Sequence, residues 1–474
     1  MISDFIQKIG LFALAVTGSA IGCSDLKNPV EPPENIGPPV WITNPSKTAL
    51  LWKTNAETVA DWTGLPTIKI DPGTRYQSVD GFGYTLTGGS AELLYQMDAE
   101  PRKQLLQELF GNQESGIQIS YLRISLGASD LSSTVYTYND LPIGQIDESL
   151  QQFHLSKDTQ AIIPVLKEIL QINPSIPIMA SPWTAPLWMK SNQQSVGGSL
   201  LPSYYSVYAQ YFIKYIQAMK SHGIRIHAVT PQNEPDHGGN NPSMVMTASQ
   251  QADFIKNHLS PAFHAAGLDV KIIIWDHNCD QPEFPLHILA DPVAKAAVDG
   301  SAFHLYAGDI SALSQVHQAH PDKNVYFTEQ WTSSTGDFGQ DLKWHLKNVM
   351  IGSMRNWSKI ALEWNLANDP QFKPHTPGGC SQCKGALTID GNEVERNVSY
   401  YIIATVSKFV PPGSTRIESN LLTQLPNVAF ETPDGRLVLV VLNESTKTEK
   451  FAIQTPEKTI GTSLSPGAVG TFVF

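Results

Sequence analysis

From residue 76 to about residue 405 the chain repeats one pattern: a short apolar run of β-type residues, then a longer stretch with apolar positions three and four apart. Such alternation admits few folds. Strands joined by helical crossovers run parallel, so repeated units build a parallel sheet covered by helices. The apolar runs end at eight tips, near residues 84, 126, 180, 230, 275, 306, 328 and 364. Between them, residues 158–170 place Ile162, Val165, Leu166 and Ile169 on one face, and Tyr204, Tyr208, Tyr211, Tyr215 and Met219 mark a second amphipathic helix closed by Gly223. Eight units predict a closed (β/α)8 barrel, the TIM-barrel form of the α/β class. A doubly wound open sheet would ask for Gly-x-Gly-x-x-Gly after its first strand, and Gly81-Phe82-Gly83 lacks the third glycine.

The flanks read differently. Short β-type runs at 40–42, 49–52 and 67–70 are broken by Pro45 and by Gly64-Leu65-Pro66, with no helix between them. After residue 405 the runs at 429–430, 437–442, 451–453 and 470–474 are separated by Pro433-Asp434-Gly435, Asn443-Glu444-Ser445 and Ser465-Pro466-Gly467. These predict an all-β sandwich. The early strands need partners there, so the smaller domain is expected to be discontinuous, with the barrel inserted. The expected boundaries are 40–75 for the N-terminal strands, 76–405 for the barrel and 406–474 for the rest of the sandwich.

Ahead of these, Lys8 precedes an apolar run at 11–22 that is too short to span a membrane as a mature helix and fits a signal peptide at 1–22. The run ends Ala20-Ile21-Gly22-Cys23, which resembles a bacterial lipoprotein cleavage box, followed by a polar, Pro-rich tether at 23–39. Cys23 is then the expected lipidation site, and the expected location is the bacterial cell envelope, anchored to the outer membrane by lipid alone. In an exported chain, Cys380-Ser381-Gln382-Cys383 reads as a local disulfide, with a redox-active pair as the alternative. The balance of 32 Lys and Arg against 44 Asp and Glu, net −12, argues against a nucleic-acid partner.

Chemistry concentrates at the strand tips, where barrels of this kind carry their catalytic groups. Thr230-Pro231-Gln232-Asn233-Glu234-Pro235 leaves an amide and a carboxylate at the end of the fourth strand. Phe327-Thr328-Glu329-Gln330-Trp331 does the same for the seventh. Two carboxyls facing each other across a barrel mouth can split their roles, one protonating a leaving oxygen and the other attacking a sugar carbon. Glu234 is read as the acid/base and Glu329 as the nucleophile of a retaining glycosidase. Asn233 faces the same cavity and can bind a sugar hydroxyl. Trp183, Trp331 and Trp364 end strands three, seven and eight and are candidate sugar platforms. His304 and Tyr306 end strand six, and His304 can orient Glu329. Arg123, inside strand two, is costly to bury unpaired and is expected beneath a carboxylate. His237, His277 and His304 are too scattered along the sequence to suggest a metal-ligand set, so neither metal nor cofactor is expected. A non-catalytic glycan-binding protein would be expected to have lost one of the two glutamates.

With these residues in view, the chain resembles the glucosylceramidase family, glycoside hydrolase family thirty. The resemblance is carried by residues 180–190 (Ala-Ser-Pro-Trp-Thr-Ala-Pro-Leu-Trp-Met-Lys), 230–235, the Glu329 strand, 363–367, 407–414, and Asp130-Leu131-Ser132 with the Tyr136-Thr137-Tyr138 run behind it. It covers roughly residues 76–474. It implies a barrel with a side β-sandwich, a retaining mechanism through Glu234 and Glu329, and sugar-site roles for Trp183, Asn233 and Trp364. Two departures stand out. Where members that cleave glucosylceramide carry Asp after a Thr in the first-strand turn, Thr87 is followed here by Gly88. Where they carry Asn shortly after Gly-Gly-Pro, this chain has Gly378-Gly379-Cys380-Ser381. The family includes β-1,6-glucanases, β-xylosidases, β-fucosidases and xylanases besides glucosylceramidase proper. A surface-tethered lipoprotein is more readily matched to a polysaccharide, so a β-1,6-linked glucan or another β-glucoside is the expected substrate.

Overall fold

The computed structural model describes residues 37–59 and 61–474; the expected signal peptide, the Cys23 lipidation site and most of the tether lie outside them. Eight parallel strands close into a barrel: β1 (Gly81–Leu86), β2 (Tyr121–Ser125), β3 (Ile178–Ser181), β4 (Ala228–Val229), β5 (Lys271–Cys279), β6 (Gly300–Gly308), β7 (Asn324–Glu329) and β8 (Ser358–Asn365). The strand tips fall within a few residues of their expected places. Two elements are divided where one was expected. The run 77–86 splits into Thr67–Ser78, which leaves for the sandwich, and β1. The stretch 91–110, whose sequence by itself reads as one helix, forms two, Gly88–Gln96 and Ala99–Phe110, the second beginning just before Pro101.

Side-chain alternation builds the barrel interior in layers. Tyr121, Met179, Ala228, Ile273, Ala302, Tyr326, Ile360 and Leu362 pack together as an apolar floor. Their neighbours in the strands, such as Leu122, Ile272, Phe303 and Phe327, face outward into the large core beneath the helices. Two residues further along from the floor positions stand Arg123, Ser181, Thr230, His304, Thr328 and Trp364. The layer above the floor is therefore largely polar although buried.

The sandwich is one nine-stranded sheet in the order Trp52–Asn55, Pro39–Thr43, Val469–Val473, Leu437–Leu442, Asn427–Glu431, Thr415–Ser419, Thr67–Ser78, Glu449–Gln454, Thr459–Leu464. Val40 near one edge and Phe451, Ile453 and Leu464 near the other share a single apolar cluster, so the sheet folds over onto itself. The N-terminal strands thus complete a sheet made mostly from the C-terminal segment, and the domain is discontinuous. Trp41 packs on Phe409 with ring centroids 4.7 Å apart, and Arg355 from the barrel donates to Ser419 O, which ties the sandwich to the barrel's flank.

The floor is tested by Ile273→Ala. Truncating this fully buried side chain should cost about 2–5 kcal/mol in denaturant unfolding. A loss below about 1 kcal/mol would contradict a close-packed floor.

Candidate active site

The polar layer is organised by a residue absent from the list of sequence candidates. Asp276 follows Trp275 in β5, and the ladder to β6 slips there: Trp275 pairs with Ala302 and His277 with Phe303, leaving Asp276 as the extra residue of a bulge. Trp275 and Asp276 have φ of +71° and +63°, values that L residues adopt only under tertiary constraint. The bulge turns the Asp276 carboxylate to the barrel axis. There it accepts from Arg123 (2.9 Å), Ser181 Oγ (2.7 Å), Thr230 Oγ1 (2.9 Å) and Thr328 Oγ1 (2.7 Å), and faces His304 Nε2 at 3.1 Å. Burial pushes this carboxyl up, but Arg123 and His304 outweigh it and hold it well below the usual carboxylate range.

Arg123 is fully buried, as its place in β2 requires, and has found its counter-charges. One guanidinium nitrogen donates to Glu329 Oε2 at 2.6 Å, and another to Asp276 and to Asn233 Oδ1 at 2.5 Å. Its guanidinium carbon also lies 4.9 Å from the centre of the Trp183 ring.

The two glutamates stand above this layer. On β7 the ladder slips between Phe327 and Glu329, so Thr328 and Glu329 both reach the interior where strict alternation would send Glu329 outward. Glu329 pairs in register with His304 of β6. Tyr306 donates to Glu329 Oε1 at 2.9 Å. Glu234 sits at the end of the β4 tip with φ of +45°, fixed by its own N–H donating to Asp276 O and by the Asn233 N–H donating to Pro182 O. His304 Nδ1 is 3.2 Å from Glu234 Oε1, and Asn240 donates to Oε2 at 3.4 Å. One oxygen from each glutamate and a His304 ring nitrogen all lie within 4.8 Å of one another. Among the described residues this is the one cluster of His, Cys, Asp or Glu groups close enough to hold a cation. A cation there would displace the proton between His304 Nδ1 and Glu234 Oε1 and compete with the Tyr306 hydroxyl for Glu329 Oε1.

The proton inventory runs through His304. Burial opposes its charge, but Glu329, Asp276 and Glu234 prevail and raise it to about 9. Burial likewise raises Glu234, and His304 overcomes it, so Glu234 falls below its ordinary value. Burial together with Glu234 and Asp276 leaves Glu329 above its own despite His304 and Arg123. That direction is opposite to the split an acid and a nucleophile need. The short Arg123 and Tyr306 contacts favour the Glu329 carboxylate, and the 3.2 Å line between His304 and Glu234 lets one proton be shared by those two groups.

The glutamates open into a cavity of about 310 Å³ lined by Asn233, Trp183, Trp331, Trp364 and Tyr306 from the sequence candidates. Arg123 and His304 lie beneath the cavity and act on the glutamates from below. His237, His277, Asn240, Asn278 and Asp130 also line it. The histidines, scattered in sequence, stand side by side here: ring centroids are 6.5 Å apart for His237 and His277 and 6.2 Å for His277 and His304. Gly88, where a sugar-binding acid was expected to be missing, does not line the cavity. It opens the helix Gly88–Gln96, and a Cβ there would come within 2.8 Å of Ser132 Oγ. The acid that reaches the cavity is Asp130, with its carboxyl raised to about 7 by burial and by Glu329. Cys380 and Cys383 are joined in a disulfide that lines the same wall, while Cys279 is a buried free thiol.

This arrangement has known counterparts. The glycosyl hydrolase family 30 TIM-barrel domain matches residues 79–410, and the β-sandwich domain of the same family matches residues 413–472. The chain belongs to glycosyl hydrolase family 30. It is 35% identical over 390 residues to an endo-1,6-beta-D-glucanase of Trichoderma harzianum, covering 77% of this chain and 78% of that one. It is 30% identical over 436 residues to the lysosomal acid glucosylceramidase of Mus musculus, covering 85% and 82%. The solved structure of the endo-beta1,6-glucanase BT3312 superimposes with a TM-score of 0.85 at 36% identity over 92% of this chain and 99% of that one. As a member of this family the protein is a retaining β-glycoside hydrolase. The close approach of the pair agrees: one oxygen of each glutamate lies within 4.8 Å of the other, whereas inverting enzymes hold the two carboxyls about 6.5–9.5 Å apart to admit a water.

The raised His304 pKa carries a stability signature. Its folded value of about 9 exceeds the ordinary 6.5, so its pairing contributes fully below pH 6.5 and is lost as pH rises through 9. A gap of that size corresponds to about 3 kcal/mol. The stability difference between wild type and His304→Gln should shrink by that order between pH 6 and pH 10 in urea unfolding. A pH-independent difference would show that His304 is neutral throughout.

Proposed function

We propose that the chain hydrolyses β-1,6-linked glucan by double displacement, with Glu329 as nucleophile and Glu234 as acid/base. The observation that carries the mechanism is the pair of glutamates within 4.8 Å, one held by Arg123 and Tyr306 and the other by His304. A Glu329 oxygen attacks the anomeric carbon as the bond from that carbon to the glycosidic oxygen breaks. Glu234, supplied through His304, gives its proton to the departing oxygen. Glu329 loses its charge on becoming the glycosyl ester, and Arg123 remains paired with Asp276, so the guanidinium is never left alone in the interior. Glu234, now ionised, takes a proton from a water that attacks the same carbon and releases Glu329. Asp130, Asn233, Asn240 and Asn278 supply acceptors and donors for sugar hydroxyls, and Trp331 offers a half-exposed face for stacking.

Two considerations favour glucan over glucosylceramide. The relatives named as endo-1,6-β-glucanases are nearer in sequence, at 35% and 36%, than the glucosylceramidase at 30%. Ceramide also needs an apolar surface beside the sugar site. Of the large apolar side chains exposed among the described residues, only Tyr306 lines the cavity. Glucosylceramide remains the second reading because that alignment extends over 85% of this chain. We also infer from the apolar run ending at Cys23 that the enzyme is exported and lipid-anchored in a bacterial envelope; loss of fatty-acid labelling in Cys23→Ser is the expected result.

Glu329→Gln should lower kcat by at least about 10⁴-fold on every β-glucoside, by analogy with removal of other covalent nucleophiles. Near wild-type turnover would reject the nucleophile. Glu234→Ala should lower turnover of β-1,6-gluco-oligosaccharides by about 10²–10⁴-fold and spare aryl glycosides with acidic leaving groups. A uniform loss across leaving groups would reject the acid role. In a panel of β-1,6-glucan, glucosylceramide, xylan and aryl β-glycosides, the highest kcat/KM among natural substrates is expected for β-1,6-glucan. Faster release of ceramide would overturn the substrate assignment.

A further inference from the structure

The segment from 369 to 384 has little regular structure, yet its second half lines the cavity and is tied to the site at two points. On one side the Cys380 N–H donates to Asp130 Oδ2 at 3.2 Å, and Thr376 N–H donates to Asp130 O at 2.8 Å. On the other, Cys383–Lys384 forms a two-residue antiparallel ladder with Thr332–Ser333, the residues that follow Trp331, and Ser334 N–H donates to Gln382 O at 2.8 Å. The two cysteines pack in one apolar cluster with Leu131, Trp183, Trp331 and Trp364. The disulfide therefore joins the point that holds the Asp130 carboxyl to the point that holds the Glu329–Trp331 turn. Only two residues separate the cysteines, and the chain entropy removed by a crosslink grows with the loop it closes. A bond closing so short a loop adds little to global stability. What it fixes is local geometry.

From this geometry we infer that the Cys380–Cys383 disulfide is a positioning element of the sugar site. It sets the Asp130 carboxyl and the Trp331 ring at the spacing the substrate needs. Asp130 has no cationic partner among the described residues, and the Cys380 N–H is the one bond from outside its own residue that orients its carboxyl within the wall. The inference rests on the glycosidase reading above for its kinetic consequence, while its structural consequence is independent of the substrate.

The test compares wild type, wild type reduced by dithiothreitol, and Cys380→Ser/Cys383→Ser. Reduction converts the disulfide into two thiols as dithiothreitol closes into its cyclic disulfide, and thiol titration reports when the bond is open. With the bond open, the Cys380 and Ser334 amides should exchange at least about 10-fold faster while the barrel strands keep their protection. KM for β-1,6-gluco-oligosaccharides should rise about 10-fold with kcat changed less than about 3-fold, the pattern of lost ground-state binding. Reoxidation should restore KM in the wild type. Unchanged exchange at both amides in the opened protein would overturn the inference. So would a KM equal to that of the closed form, or a loss that follows a fall of the thermal midpoint and moves kcat and KM together. If wild type fails on β-1,6-glucan, the substrate assignment fails, and the exchange data still decide the role of the disulfide.

Discussion

The Asp276 carboxylate, buried at the barrel axis, is the constraint on which the rest of the site depends. A negative charge there is tolerable only because Arg123 and His304 flank it and three hydroxyls donate to it. Each of these partners comes from a different strand, so the carboxylate fixes the mutual register of β2, β3, β4, β6 and β7 at catalytic height. Arg123 then has charge left for Glu329, and His304 has a ring nitrogen left for Glu234. The two glutamates are held from below by groups that are themselves held by Asp276. The placement of the pair is thereby set by buried, mutually bonded groups of the barrel strands, and the cavity above is shaped by the loops.

The two parts are built differently. The layer from Asp276 to the glutamates is buried and mutually bonded, whereas the cavity above it is lined by side chains from the loops: Asp130, His237, Asn240, Asn278, Trp331 and the disulfide-closed segment. The strained backbone, with φ of +45° at Glu234 and +71° and +63° at Trp275 and Asp276, lies where strand ends must turn side chains inward against their natural alternation.

Much of this was legible in the sequence. Alternating runs gave the barrel and the positions of its tips, because side-chain periodicity is a local property. Glu234, Asn233 and Glu329 could be singled out because each follows an apolar strand directly, and buried Arg123 announced a carboxylate partner by its cost alone. Asp276 was not legible. It follows Trp275 as any loop acid might, and only the bulge against β6 turns it inward. The histidines looked scattered because adjacency around a barrel mouth joins residues 40 and 27 positions apart, in the pairs His237 with His277 and His277 with His304.

By itself the sequence determined the fold class and the discontinuous sandwich and singled out two glutamates that the barrel brings together, since periodicity, turn residues and the cost of burying charge act within short windows. Only the tertiary structure decided which acid stands beneath the pair, which one lines the cavity beside it, and that the Cys380–Cys383 bond lies in the wall with Asp130 and Trp331. Those facts depend on ladder slips and loop ties between segments up to 250 positions apart, as Asp130 and Cys380 are, and no local pattern encodes them.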